Sequence, residues 1–148
     1  MRAIKFRGKS RIDGRWVHGD LIHLVKGDKM GYFIAHSESN GEYVPHEEGK
    51  PDVGYALGED IFPVEIDSIG QFTGLHDKTG KGIWEDDILT TDVVIGGVFK
   101  EFGIVKFLDG GFVYAMYQKE DGKWVYTHID DRMRVIGNIH DKNESYGE

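Results

Sequence analysis

The sequence predicts an all-β protein from three observations. Short runs of β-branched and aromatic residues recur along the chain, as they do in strands. Glycine accounts for 21 of the 148 residues and proline for only 3. Several glycines follow Asp or Asn, which is typical of tight hairpin turns: Asp13-Gly14, Asn40-Gly41, Asp109-Gly110 and Asp121-Gly122. No window sustains a helical apolar stripe over about 12 residues, so we expect at most one or two short helices.

The N-terminal strands form a predicted meander. In the first strand, alternation places Ile4 and Phe6 on the packed face and the charged residues between them on the solvated face. Further strand-length runs follow at residues 16–25, 30–36 and 61–69. Residues 37–54 are mostly polar and predict a long exposed loop. We therefore predict an N-terminal β subdomain over residues 1–66.

The C-terminal part contains five strand-length runs separated by turn signals. They lie at residues 88–95, 98–108, 111–117, 123–129 and 133–140. Five such strands predict a small barrel, so we assign residues 67–140 to a barrel-like C-terminal subdomain. Residues 141–148 offer little to bury and predict a flexible tail.

Composition limits the class of protein. The chain has no cysteine, which excludes disulfides, thiolate metal sites and thiol nucleophiles and favours a reducing compartment. The first residues alternate charged with apolar side chains, and no stretch approaches the roughly 18 apolar residues of a membrane span. We therefore predict a cytoplasmic protein with no membrane role.

Charge is distributed unevenly. The formal net charge is −8, but residues 1–15 carry +5, so residues 16–148 carry −13. The name basic strand is used here for Lys5, Arg7, Lys9, Arg11 and Arg15 with the neighbouring Trp16. These side chains could contact phosphates and stack on a base. The overall negative charge opposes this, so we favour a solvated edge whose charges discourage aggregation or pair with acidic groups.

Residues 71–88 form a distinctive motif, which reads Gln-Phe-Thr-Gly-Leu-His-Asp-Lys-Thr-Gly-Lys-Gly-Ile-Trp-Glu-Asp-Asp-Ile. This motif closely resembles the signature of the YopX family of phage and prophage proteins. The opening at residues 4–7 and the closing segment at residues 134–140 are also similar to that family. One departure lies at Asp86, where relatives usually have glycine. Asp tolerates positive φ better than most residues do, so we expect the turn to persist.

The resemblance implies a fold, but no known reaction. It implies an all-β fold of coiled, bifurcated antiparallel sheets with a small SH3-like, barrel-type C-terminal part, made in an infected or lysogenic bacterium. It supplies no catalytic or binding residues. Turn chemistry alone accounts for the residue types of the motif, which we interpret as a structural junction. Its key residues are Thr73, Gly74, Leu75, Asp77, Gly80, Trp84 and Asp87.

The glycines of the motif suggest a phosphate-binding or a calcium-binding loop, and neither fits. Five residues rather than four separate Gly74 from Gly80, Lys81 is not followed by Ser or Thr, and no helix follows. In a calcium-binding loop that began at Asp77, Lys81 would occupy a ligating position.

Other polar clusters are equally unspecific. His18, Asp20 and His23 lack the spacing of metal ligands, and adjacent carboxylates such as Asp86 and Asp87 point apart on a strand. We therefore predict no catalytic residue, no metal site and no cofactor.

The sequence favours a non-enzymatic phage accessory protein that binds another protein, of the phage or the host. Exposed sheet edges and loops would make the contact, and a homo-oligomer is compatible with this hypothesis. Two alternatives remain open. One is a nucleic-acid-binding module that uses the basic strand, and the other is a small enzyme whose site is assembled across loops.

Overall fold

A computed structural model describes residues 4–36, 61–91, 94–95, 98–99 and 101–141. The predicted loop at residues 37–54 and most of the predicted tail lie outside these ranges. The chain divides into two compact units, Met1–Gln71 and Phe72–Glu148, a few residues after the boundary that the sequence predicts. None of the described helical segments is long and apolar enough to cross a membrane.

The described residues are mainly β-strand, which confirms the all-β prediction. The strands are β1 (Phe6–Lys9), β2 (Trp16–Lys26), β3 (Lys29–His36), β4 (Ile61–Pro63), β5 (Gly70–His76), β6 (Gly82–Trp84), β7 (Asp87–Thr90), β8 (Val94–Ile95), β9 (Val98–Phe99), β10 (Phe102–Leu108), β11 (Gly111–Gln118), β12 (Lys123–Thr127) and β13 (Arg134–Asn138). The helical element in the described ranges is a short 3₁₀ turn, Ile66–Ser68.

The first unit contains an antiparallel meander in the order β4-β3-β2-β1. The start of β5 continues this sheet beyond β1, because Phe6 pairs with Gln71 and Arg7 with Gly70. A small core forms on one face around Val17, Ile34 and Val64, each less than a tenth exposed. β1 is therefore an interior strand rather than an edge.

The second unit is built on an antiparallel sheet in the order β12-β11-β10-β7-β13. Its core includes Leu89, Val105, Tyr114 and Val135, which alternation places on one face of four adjacent strands. The β10–β11 turn, Asp109-Gly110, has positive φ at both residues, 50° and 82°. This is the geometry that tight two-residue hairpins need, and it confirms the turn predicted there.

The predicted C-terminal barrel is wrong in one respect, because the described strands form no closed barrel. β12 and β13 are the two ends of the sheet and do not pair with each other. The run at residues 88–95 also divides into β7 and β8, and β8 pairs with β9 as a separate hairpin. The number of strands was not enough to predict closure correctly, because closure also depends on strand tilt and stagger.

Gly103 lies where β10 has no room for a side chain. A Cβ there would come within 2.5 Å of the Tyr114 ring and 2.6 Å of the Ala115 carbonyl oxygen. Backbone cannot move aside as a flexible side chain can, so this close approach makes the site intolerant of any Cβ.

We predict that Gly103→Ala destabilises the protein by about 3 kcal/mol, because overpacking against backbone forces the hairpin apart. Urea unfolding followed by circular dichroism measures the change. Gly111→Ala is the matched control in the same hairpin, since a Cβ there meets nothing within 4 Å. Equal stability of the two variants would contradict the packing argument.

Candidate functional site

Asp77 accepts several hydrogen bonds within and beyond the motif at residues 71–88. Its Oδ1 accepts hydrogen bonds from the Thr79 amide at 2.8 Å, the Thr79 hydroxyl at 2.7 Å and the Lys81 amide at 2.9 Å. Its Oδ2 accepts one from the Val135 amide at 2.9 Å. The carboxylate therefore closes its own turn and fastens that turn to β13. Asp77 itself is buried.

These bonds determine the protonation of Asp77. Burial by itself raises the pKa of this carboxyl group, but hydrogen bonds from the Thr79 hydroxyl and from three backbone amides lower it from 3.8 to about 2. Hydrogen bonds to the charged form stabilise that form, so folding favours the ionised carboxylate.

Other residues of the motif also have structural contacts. The Thr73 hydroxyl donates to the Ile83 carbonyl oxygen at 2.7 Å, and Gly74 has a φ of 83° at an irregularity between β5 and β6. Asp87 Oδ2 accepts from the Trp84 amide at 2.8 Å. Gly80 has a φ of 89° and donates its amide to the Asp77 carbonyl oxygen.

Trp84 and Leu75 are the two remaining key residues of the motif. The Trp84 ring lies 5.1 Å from the ring of Phe72, between centroids. Leu75 is 45% exposed and contributes little to the core.

Asp86 has a positive φ of 69°, so the turn persists with Asp at the position where relatives usually have glycine. Its carboxylate accepts a hydrogen bond from Lys106 Nζ at 3.0 Å and lies 3.0 Å from His140 Nε2. Its carbonyl oxygen accepts from the Ile139 amide at 3.0 Å. The side chain and backbone of Asp86 therefore link β10 to the segment after β13. Glycine at this position could form only the backbone part of this link.

The basic strand is only partly as predicted. Arg7 is 7% exposed rather than solvated, and Ile4 is 60% exposed rather than packed. The Arg7 guanidinium carbon lies 4.6 Å from the centroid of the Trp16 ring, and Lys9 Nζ lies 5.4 Å from it. The solvated-edge interpretation is wrong for this strand, because β1 lies between β2 and β5.

The remaining basic residues, Arg11 and Arg15, lie close to acidic side chains. Arg15 Nε lies 2.6 Å from an Asp13 oxygen, and Arg11 Nε lies 3.7 Å from Glu65. Near the strand, desolvation and then the charges of Arg7, His36 and Lys5 lower the pKa of His18. Around Trp16 the positive charge therefore comes from the buried Arg7 and from Lys9.

The polar clusters rejected from the sequence do not converge in the structure. The His23 ring stacks on the Tyr32 ring with 4.4 Å between centroids, so it stabilises the β2–β3 hairpin. Over the ranges that the structure describes, no three His, Asp or Glu side chains gather as metal ligands.

An aromatic groove lies on the face of the second sheet opposite its core. The groove has a volume of about 420 Å³ and is lined by Glu85, Asp86, Lys106, Phe107, Leu108, Ala115, Trp124 and Tyr126. Trp124 and Tyr126 are 47% and 51% exposed. Ala115 pairs with Tyr126 in register and forms the floor, because its methyl group leaves space between larger neighbours.

The aromatic surface continues beyond the groove. Tyr117 pairs with Trp124 across the strands, is 52% exposed, and has its ring 5.3 Å from the Trp124 ring. Sequence reasoning missed this surface. The sequence signal for this surface is the run Trp124-Val125-Tyr126, because strand alternation places both of its aromatic residues on the solvated face.

We predict that Asp77→Asn lowers the free energy of unfolding by about 2 kcal/mol at pH 7, because an amide NH₂ or a neutral oxygen replaces the charged acceptor. The native pKa is lowered, so the contribution is complete above the unfolded value near 3.8 and disappears as pH falls through about 2. The gap between wild type and variant should therefore close between about pH 4 and pH 2.

Urea unfolding at several pH values measures this gap. The matched control is Asp121→Asn, an exposed substitution in a turn where Asn is equally suitable. A gap that stays constant down to pH 2 would show that Asp77 acts through packing instead.

Comparisons with known proteins agree with this architecture. The solved structure of protein EF1440 from Enterococcus faecalis is similar, with a TM-score of 0.53, 21% sequence identity and coverage of 95% of each chain. At that identity the similarity shows the fold alone. A search of the curated proteins finds no match. The family model described as YopX protein matches residues 5–145, nearly the whole sequence. The chain therefore belongs to the YopX family.

Proposed function

We propose that this chain is a non-enzymatic accessory protein of a phage or prophage, which acts in the bacterial cytoplasm by binding another protein. The observation that carries the proposal is the aromatic groove with the adjacent Tyr117. Exposed Trp and Tyr on a flat sheet face are the residues that dominate binding energy at protein interfaces. Contiguous apolar patches on a folded surface commonly mark such interfaces.

Two further observations support a binding role over catalysis. The charged groups beside the groove engage one another, because Asp86 contacts both Lys106 and His140 at 3.0 Å. The Asp77 carboxylate, whose pKa is about 2, accepts hydrogen bonds from its own turn rather than lining a cleft. Neither arrangement leaves a poised acid and base facing a bound substrate.

The partner in this proposal is a protein of the phage or of its host. Most of the groove's lining lies on β10, β11 and β12, with Glu85 and Asp86 contributed by the β6–β7 turn, so hydrogen-bonded strands position most of the binding surface before the partner arrives. A second copy of the chain is another occupant that the same experiment detects.

We predict that a tagged chain recovers a specific protein from phage-infected cells and that Trp124→Ala with Tyr126→Ala reduces the recovery at least about tenfold, as expected for two central aromatic contacts. Mass spectrometry identifies the partner, and binding is repeated with both proteins purified. The control variant is Met30→Ala, which removes a side chain that is 65% exposed in the other unit. Equal recovery by the double variant, or no partner at all, would contradict the proposal.

A nucleic-acid-binding module is the second candidate. The observation that favours it is the position of Arg7 and Lys9 on β1 over the Trp16 ring, with Lys5 just before the strand. The same geometry weakens it, because Arg7 and Lys9 already lie against the indole ring that a base would need. The negative charge of the remainder also repels phosphates.

We expect no salt-sensitive binding when labelled single-stranded and double-stranded DNA are titrated at about 50 and about 200 mM salt. The readout is fluorescence anisotropy, and Lys5→Gln with Lys9→Gln serves as the comparison. Binding that weakens steeply with salt and is further reduced in this double variant would establish the second candidate instead.

A further inference from the structure

We infer that two copies of this chain associate edge to edge through β12, so that the second sheet continues across a two-fold axis. The inference goes beyond the proposed function, because its surface is the backbone edge of β12 rather than the groove, and its occupant is a second copy. β12 forms one end of the sheet and pairs with β11 alone among the described strands. The other side of an end strand carries backbone N–H and C=O groups that a further strand can pair with.

β12 lacks the features that keep other sheet edges apart. Natural proteins protect edges with proline, irregular register or very short strands. Among the described strands, β4 spans three residues and ends in Pro63, β6 also spans three residues, and β13 has a register shift between Val135 and Gly137. β12 spans five residues without proline, and its pairing with β11 is regular throughout. Of these four strands, it is therefore the one that offers a complete edge to a partner.

The side chains of β12 also fit a second copy in the antiparallel direction. A two-fold axis through Val125 places Trp124 opposite the partner's Tyr126 and Lys123 opposite the partner's Thr127. Strand alternation puts both aromatic residues on one face, where cross-strand aromatic pairs stabilise a sheet. The ammonium group of Lys123 meets a hydroxyl group rather than another charge. Because the axis repeats every contact, the match at one side of Val125 occurs twice.

The register centred on Val125 is the one that uses the whole strand. Opposite residues of an antiparallel pair share a face, so a two-fold axis normal to the sheet passes through a residue. An axis through Trp124 or Tyr126 would leave only three of the five residues opposite strand residues of the other copy. An axis through Tyr126 would also place Trp124 opposite the partner's His128, beyond the end of β12. Both alternatives lose the pairing of Trp124 with Tyr126.

Sedimentation velocity of the purified full chain tests the inference. A weak edge-to-edge dimer with a Kd on the order of 100 μM shows a sedimentation coefficient that rises between about 10 μM and about 1 mM protein. The amide NMR signals of β12 should shift over the same range, because its outward backbone groups become hydrogen bonded. A chain that stays monomeric at about 1 mM would overturn the inference.

Two substitutions of Thr127 test the register. Thr127→Lys places an ammonium group opposite the partner's Lys123 at both sides of the axis, and should weaken association about tenfold. Thr127→Glu places a carboxylate there, and should tighten association several-fold at low salt. The formal net charge of −8 favours the opposite order, because Lys reduces the repulsion between copies and Glu increases it. Tighter association of the Lys variant than of the Glu variant would therefore overturn the inference.

Met30→Lys is the control for the change in net charge alone. Met30 is 65% exposed and lies in the first unit, so this substitution adds the same charge without altering β12. We expect it to leave the Kd of the dimer within a factor of about two. The reciprocal variant, Lys123→Glu combined with Thr127→Lys, restores opposite charges and should recover association. A reciprocal variant that is folded by circular dichroism but does not associate would contradict the register.

A single cysteine locates the axis. The natural chain has none, so Val125→Cys introduces one thiol per copy. Opposite Cα atoms in an antiparallel pair are about 4.5 to 5.5 Å apart, which is within the range that a disulfide spans. Mild oxidation should therefore yield a covalent dimer, and Val25→Cys, at a position 63% exposed in the first unit, should yield it much more slowly. Equal rates would contradict an axis at Val125.

These experiments fail separately from the test of the proposed function. Thr127 does not line the groove, so Thr127→Lys should still recover the cellular partner while it loses the dimer. A chain that is monomeric at every concentration, but loses its cellular partner through Trp124→Ala with Tyr126→Ala, would support the proposed function and overturn this inference alone.

Discussion

The second unit depends on one buried carboxylate. Asp77 accepts hydrogen bonds from its own turn and from Val135, which lies 58 residues later in the sequence. The Lys78 amide adds a bond to the Met133 carbonyl oxygen at 3.0 Å beside it. The motif at residues 71–88 thus ties an early turn to the last strand of the sheet, and hydroxyl and backbone amide donors occupy both oxygens of its buried carboxylate.

Much of the fold could be predicted from the sequence because the relevant signals are local. The Asp109-Gly110 turn and the positive φ of Asp86 both follow from which residues tolerate a left-handed backbone. The core face of the second sheet follows from side-chain alternation. Barrel closure could not be predicted in this way, since it depends on how strands at opposite ends of the sheet meet.

The candidate site was harder to predict for a related reason. The sequence pattern indicates a surface position for Arg7. In the structure, β1 has a neighbouring strand on both sides, and the Trp16 ring lies against the Arg7 guanidinium. The aromatic groove needs the register of three strands before Ala115, Lys106 and Tyr126 come together. A pattern within one strand indicates which residues share a face, but not what lies beside them on the next strand.

The two faces of the second sheet carry different side chains. Tyr114 and Val105 alternate in sequence with Ala115 and Lys106, so each hairpin strand contributes to the core and to the groove at once. Trp124 and Tyr126 can therefore be exchanged without altering the buried layer. Sequence drift on the exposed side of this sheet therefore costs little in folding, because each strand commits only alternate positions to the buried layer.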